Sequence, residues 1–229
     1  MYEIHSNTAI LVFALNPSEE VRRKKIRRGK VLFSSLHEHT LTEVKKTRLP
    51  FFQFKGACQK GNSFGERFSN AIQHLFDLGF TNVITLGNDC PQLSKRDILY
   101  TASKLALGQN VVAPSLDGGF NMLGIQKSAF NKAAFEKLPW QTEKLLDETL
   151  KYLRNFGYSP ELLRAYSDVD SIMDLRRLLS KVKLFSKGLY TLFSEILRTT
   201  QLNWSYLFNT PNLPNFSFPT NKGSPFSIS

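Results

Sequence analysis

Apolar residues first run unbroken along this chain and then fall into helical stripes. Thr8–Ala14 (TAILVFA) is apolar at nearly every position and does not alternate, the pattern of a strand covered on both faces. Pro17-Ser-Glu-Glu20 predicts a helix start, since proline suits the first turn and carboxylates favour the positive end of the helix dipole. Leu32–Val44 reads as a second helix, and Leu49–Phe54 as a short strand opened by its proline. Ser63-Phe-Gly-Glu66 has the capping-box pattern. Phe64, Phe68, Ala71, Ile72, Leu75 and Phe76 then share one helical face, up to a C-cap expected at Gly79. A core strand, Asn82–Leu86, runs into Gly87-Asn-Asp-Cys-Pro91. Next come a helix over Ser94–Leu107, a strand over Asn110–Pro114, a turn at Asp117-Gly-Gly119, a strand over Phe120–Ile125 and a helix over Thr142–Phe156. Strands and helices alternating on this scale predict an α/β domain with a mostly parallel sheet and helices on both faces.

Ser171–Thr200 is helical in pattern, with Ile172, Leu175, Leu179, Val182, Leu189, Phe193 and Ile196 near one stripe and Gly188 expected to break it in two. Arg176, Arg177, Lys181, Lys183 and Lys187 lie opposite. A basic amphipathic helix can lie on an acidic membrane surface; packing on the domain with its charges in water is the reading favoured over it. From Gln201 to Ser229 there is one charged residue, Lys222, among prolines, asparagines and serines. The expected division is therefore a domain over 1–200, including these C-terminal helices, and an extended or disordered tail over 201–229.

The 229 residues suffice for one domain with a real core. The longest apolar run, Ala9–Leu15, is too short to span a bilayer, and no signal-peptide pattern precedes it, so a cytoplasmic location is expected. Two cysteines, Cys58 and Cys90, set up neither a disulfide framework nor zinc spacing. The net charge of +11 is concentrated: seven of the 30 basic residues lie in Arg22–Lys30. Such a run can serve nucleotide phosphates, a polynucleotide or merely solvent. No aromatic RNA motif or helix-turn-helix pattern accompanies it, which argues against nucleic acid.

Three acidic segments carry candidate chemistry. Asn88 and Asp89 emerge from the carboxyl end of a core strand, where open α/β sheets bind ligands. Asp89 can supply one of the carboxylates a hard divalent cation needs, or it can simply cap a turn. Asp117-Gly-Gly-Phe120 sets a carboxylate beside glycines that permit close backbone approach, or is a plain hairpin turn. Tyr166-Ser-Asp-Val-Asp170 offers a third acid, or an N-cap for the helix that follows. Taken together, the three favour a site for a metal and a diphosphate. Cys90 is not tied to a histidine by any motif, which argues against a cysteine nucleophile.

In order and spacing, GNSFGERFSNAIQHLFDLGFTNVITLGNDCPQL, VVAPSLDGGFNMLGI, LPWQTEKLLDETL and DVDSIMDL resemble a bacterial glycosyltransferase family, the selenodomain-associated transferases. That family lies in the nucleotide-diphospho-sugar transferase superfamily, near phospholactate guanylyltransferase and the molybdenum-cofactor nucleotidyltransferases. The likeness covers about residues 8–180 and implies a GT-A-type, Rossmann-like fold. It implies a nucleotide-sugar donor, an acceptor it does not identify, and a Mg²⁺ or Mn²⁺ ion held by Asp89 and Asp170. It places Asp117 at the reacting centre, Gly65, Glu66, Arg67 and Asn88 toward the nucleotide, and Gly118, Gly119, Trp140 and Thr142 around the acceptor pocket. Nucleotidyl transfer, or nucleotide binding without catalysis, fits the same residues. One element departs from the family. Its Pro-x-x-Gly-x-x-Lys-Thr-Arg-Leu phosphate loop is missing after the first strand, and the KTRL at Lys46–Leu49 falls in the wrong place. Arg22, Arg23, Lys24 and Lys25 are the expected substitutes for its phosphate contacts.

Overall fold

The computed structural model describes residues 7–15, 17–24, 26, 28–180 and 187–208. The expectations for Lys25 and for residues 209–229 fall outside them. Six strands form one sheet: β1 (Thr8–Phe13), β2 (Phe51–Phe54), β3 (Asn82–Leu86), β4 (Val111–Pro114), β5 (Phe120–Gln126) and β6 (Glu161–Leu162), in the order β2-β1-β3-β5-β4-β6. β5 runs antiparallel to both neighbours, and the other five strands are parallel to one another. Every residue of β1 and of β3 is buried, as their unbroken apolar runs require.

The helices are α1 (Pro17–Lys24), α2 (Gly29–Thr47), α3 (Phe64–Asp77), α4 (Lys95–Ala106), α5 (Lys132–Glu136), α6 (Leu145–Asn155), α7 (Ile172–Leu179) and α8 (Lys187–Phe208). Alternate residues of β1 serve opposite faces of the sheet. Ala9, Leu11 and Phe13 pack with α3, α5 and α6, whereas Ile10 and Val12 pack with α2 and α4. This is the expected three-layer arrangement. A third cluster joins Ile26, the first half of α2, and α7 and α8 through Phe33, Leu175, Leu178, Phe193 and Ile196.

Two expectations need correction. α7 ends at Leu179, and Gly188 sits inside the first turn of α8. Helix continues through Phe208, eight residues into the segment expected to be an extended tail. β6 was not foreseen, for two residues with no apolar run give no periodic signal. Among the described residues no helix is long and apolar enough to cross a membrane.

Candidate functional site

The parallel strands deliver their carboxyl ends to one cleft of about 550 Å³. β1 contributes Phe13 and Leu15, the turn after β3 contributes Gly87, Asn88 and Asp89, and the β4–β5 turn contributes Ser115, Asp117 and Gly119. The chain after β6 brings in Asp168. It is stitched into place by its backbone: Tyr166 N–H donates to Pro114 O, Leu116 N–H to Tyr166 O, and Val169 N–H to Asp89 O, each at 3.0 Å. β6 is thus short in length but decisive in position, because it aims Asp168 and Asp170 at the turns after β3 and β4.

Lys24, in the last turn of α1, reaches into this acidic corner. Its ammonium lies 2.7 Å from Asp89 Oδ2, 2.9 Å from Asp170 Oδ1 and 3.4 Å from Glu20 Oε2, and donates to Val169 O at 3.1 Å. Burial alone would lower its pKa; Asp89, Glu20 and Asp170 outweigh that and hold it above the ordinary lysine value. Glu20, only 4% exposed, has its pKa raised by burial against the opposing pull of Lys24. The basic run therefore divides. Lys24 and Arg23 line the cleft, whereas Arg22 is exposed and does not.

Asp168 is the residue the sequence reading passed over. Its carboxyl is pushed up to about 8, first by burial and then by the neighbouring Asp89 charge. Ser115 Oγ donates to Asp168 Oδ2 at 2.7 Å. Asn121 also lies in hydrogen-bond contact with this carboxyl, donating to it in one amide orientation. In the other orientation its nitrogen turns to Pro114 O and Tyr166 O, each at 3.4 Å. The signal was present as Asp-Val-Asp: two acids one residue apart on an extended chain, of which only Asp170 was taken. Asp117, Asp168 and Asp170 each offer an oxygen within 4.8 Å of the others.

The cleft lining is also aromatic. Phe13, Phe64, Phe68, Phe120 and Trp140 all line the cleft. The Trp140 ring stands 5.5 Å from Phe64, 5.2 Å from Phe68 and 6.0 Å from Phe120, and its indole N–H donates to Phe135 O at 3.0 Å. Thr142 and Glu143 complete the lip.

Several expected ligand contacts prove to be contacts within the chain. Gly65, Glu66 and Arg67 do not line the cleft. Glu66 closes the start of α3, its N–H donating to Ser63 Oγ at 3.1 Å while its carboxylate accepts from Asn62 N–H at 2.6 Å. Arg67 donates to Asn62 O at 3.4 Å. A Cβ on Gly65 would lie 2.4 Å from Glu136 O and 2.6 Å from Trp140 Cδ1. Gly118, at φ +89°, likewise makes room for backbone, with Glu143 O 2.2 Å from where a Cβ would stand. Asp117 accepts from Gly119 N–H at 3.0 Å, so the turn reading of this motif holds alongside its place in the cleft. Ser171 caps α7 with Asp174 as its reciprocal partner, which leaves the Asp170 carboxylate for Lys24. The Cys90 thiol is buried and its pKa raised by that burial, the opposite of what a nucleophile needs.

A larger groove of about 760 Å³ lies between α2, Pro91–Ser94 and the start of α8. It holds Glu38, His39 and Glu43 but none of the strand-end acids.

Residues 20–142 match the protein family described as "Uncharacterized protein conserved in bacteria (DUF2064)". No curated protein matches the chain. Among solved structures, a candidate nucleotide-diphospho-sugar transferase from Desulfovibrio desulfuricans G20 superposes with a TM-score of 0.77 at 21% identity. The alignment covers 85% of this chain and 98% of that one. At that identity the likeness speaks for the fold, and it agrees with the expected Rossmann-like, GT-A-type architecture. The homologue of Mycobacterium tuberculosis Rv0371c from Mycobacterium sp. strain JC1 reaches 0.47 at 14% identity, over 78% of this chain and 98% of that one. A cytidylyltransferase from Leptospira borgpetersenii serovar Hardjo-bovis reaches 0.36 at 13%, over 92% and 100%. Scores that low carry no argument about this chain.

Proposed function

The chain belongs to the bacterial DUF2064 family, and we propose that it is a transferase that takes a nucleotide-diphospho-sugar in the cleft at the strand ends. The observation that carries this reading is that Asp89, Asp117 and Asp168 line a cleft together with Phe64, Phe120 and Trp140, with Asp170 offering an oxygen within 4.8 Å of Asp117 and Asp168. A cleft of about 550 Å³ suits a small ligand of nucleotide size. A base or sugar ring would lie against Phe64, Phe120 and Trp140, and Arg23 at the lip would meet a phosphate. Asp117, on the open side of the turn, would face the acceptor. The resemblance to the selenodomain-associated transferases supports the same assignment.

Asp117, Asp168 and Asp170 fit a hard divalent cation, Mg²⁺ or Mn²⁺, because all three donors are carboxylate oxygens close enough to share one ion. Such an ion would supply positive charge to the departing diphosphate. The chain's own residues orient the two reactants and hold the acids in place.

The experiment is a thermal-shift screen of nucleotides and nucleotide-sugars, with and without Mg²⁺ or Mn²⁺. A ligand at about 100 times its Kd should add roughly 2.7 kcal/mol of stability. Products then decide the chemistry. Free nucleoside diphosphate indicates glycosyl transfer, whereas pyrophosphate indicates the alternative, nucleotidyl transfer. If no nucleotide shifts the melt under any metal condition, the reading is wrong.

A further inference from the structure

The expectation that Asp89 holds the metal meets an obstacle in the structure: a cation of the chain's own is already there. We propose that the Lys24 ammonium is the resident counter-cation of the Asp89 corner, so that a divalent ion is confined to Asp117, Asp168 and Asp170. This rests on the cleft's being the site of the proposed function, and it names which of its acids are open to metal.

Four oxygens surround Lys24 Nζ: Asp89 Oδ2, Asp170 Oδ1, Glu20 Oε2 and Val169 O, at 2.7, 2.9, 3.4 and 3.1 Å. Carboxylates and a carbonyl are the donor set that Mg²⁺ or Mn²⁺ selects, but these are spaced for an ammonium. The Lys24 side chain is 13% exposed, so its charge is poorly screened and its departure would strand the acids around it. Glu20 strengthens the case. It is 4% exposed, and its Oε2 has no hydrogen bond of good geometry although the ammonium is 3.4 Å away. A buried acid at this distance from Lys24 adds its charge to the corner. The corner is also in the right place to matter, since Asp170 is shared between Lys24 and the three-aspartate group.

Two variants test this by Mn²⁺ titration, read by calorimetry and by the electron paramagnetic signal of free Mn²⁺, with no nucleotide present. Lys24→Met should gain one Mn²⁺ site that the parent lacks, because Asp89, Asp170 and Glu20 lose their partner together. Asp89→Asn in the parent should change Mn²⁺ affinity by less than tenfold, whereas loss of a true ligand or its support costs about 10–100-fold or more. A folded Lys24→Met that gains no site overturns the inference. So does a tenfold or greater loss in Asp89→Asn, and that variant alone carries the test should Lys24→Met fail to fold. The proposed function fails separately, by an absence of nucleotide binding, and the Mn²⁺ titration is indifferent to that result.

Discussion

Replacing Gly65 with alanine puts the packing of the cleft's aromatic wall to a quantitative test. Gly65 is the second residue of α3, and α5 and Trp140 close over it. An added Cβ would lie 2.4 Å from Glu136 O, 2.6 Å from Trp140 Cδ1 and 2.8 Å from Trp140 Nε1. A carbon and a carbonyl oxygen sit comfortably at about 3.3 Å or more, so the end of α5 must retreat by nearly an ångström. Overpacking of this kind costs about 1–3 kcal/mol. Displacing the indole also strains its hydrogen bond to Phe135 O, worth about 1 kcal/mol. Against these stands the helical preference of alanine over glycine, about 1 kcal/mol. The balance is a loss of roughly 1–3 kcal/mol, or about 2–12 °C in Tm for a chain of this size. Calorimetry or circular dichroism measures it. Gly188→Ala is the control, because nothing lies within 4 Å of its Cβ position and helix propensity alone should make it neutral or slightly stabilising. If Gly65→Ala melts with the parent, the close contact is wrong and Gly65 is free to face a ligand after all.

Further expectations follow from single residues. Gly118→Ala should destabilise by about 2 kcal/mol or more, since it combines a positive φ with a Cβ 2.2 Å from Glu143 O; urea unfolding measures the loss. Tyr166→Phe removes a hydroxyl that donates to Asp97 Oδ1 at 2.9 Å and accepts from Arg164 Nε at 2.8 Å. It should cost about 1–2 kcal/mol and weaken Mn²⁺ binding, because Tyr166 anchors the strand-like segment that carries Asp168. His39 has its pKa lowered from 6.5 by burial, with Glu43 opposing. Its unfolded state therefore takes up a proton more readily than its folded state, so stability is intact above pH 6.5 and falls as pH drops below it. His39→Gln should flatten this acid limb, measured as the urea midpoint against pH; an unchanged slope would exclude His39 as its source.

Much of the fold could be read from the chain because its signals are local. β1 and β3 are unbroken apolar runs buried on both faces, and α3 shows its cap and its stripe within a single turn of each other. β6 and the antiparallel pairing of β5 with β3 could not be read, because partners distant in sequence decide them; the β4–β5 hairpin was signalled by Asp117-Gly-Gly119. The cleft was legible as far as Asp89, Asp117, Asn88 and Trp140, each at a strand end or in a marked loop. Its internal pairing was not. That Lys24 from α1 lies against Asp89, 65 residues on, is a fact of tertiary packing. The glycines mislead for a related reason: a missing Cβ signals close approach but does not say by what. At Gly65 and Gly118 the approaching group is the protein's own backbone, at Glu136 and Glu143.

The setting of Trp140 gives the molecule an optical readout. The chain has two tryptophans, Trp140 and Trp204, and Trp140 forms part of the cleft wall. Its indole is pinned to Phe135 O and wedged among phenylalanine rings, so its emission reports a defined local polarity. A ring seated against it, or a movement of the lip at Gln141–Glu143, would change that polarity and the collisional quenching of the indole. With Trp204→Phe the signal would come from the cleft alone. Occupancy, its salt dependence and its rate could then be followed in solution without a label, before the natural ligand is identified.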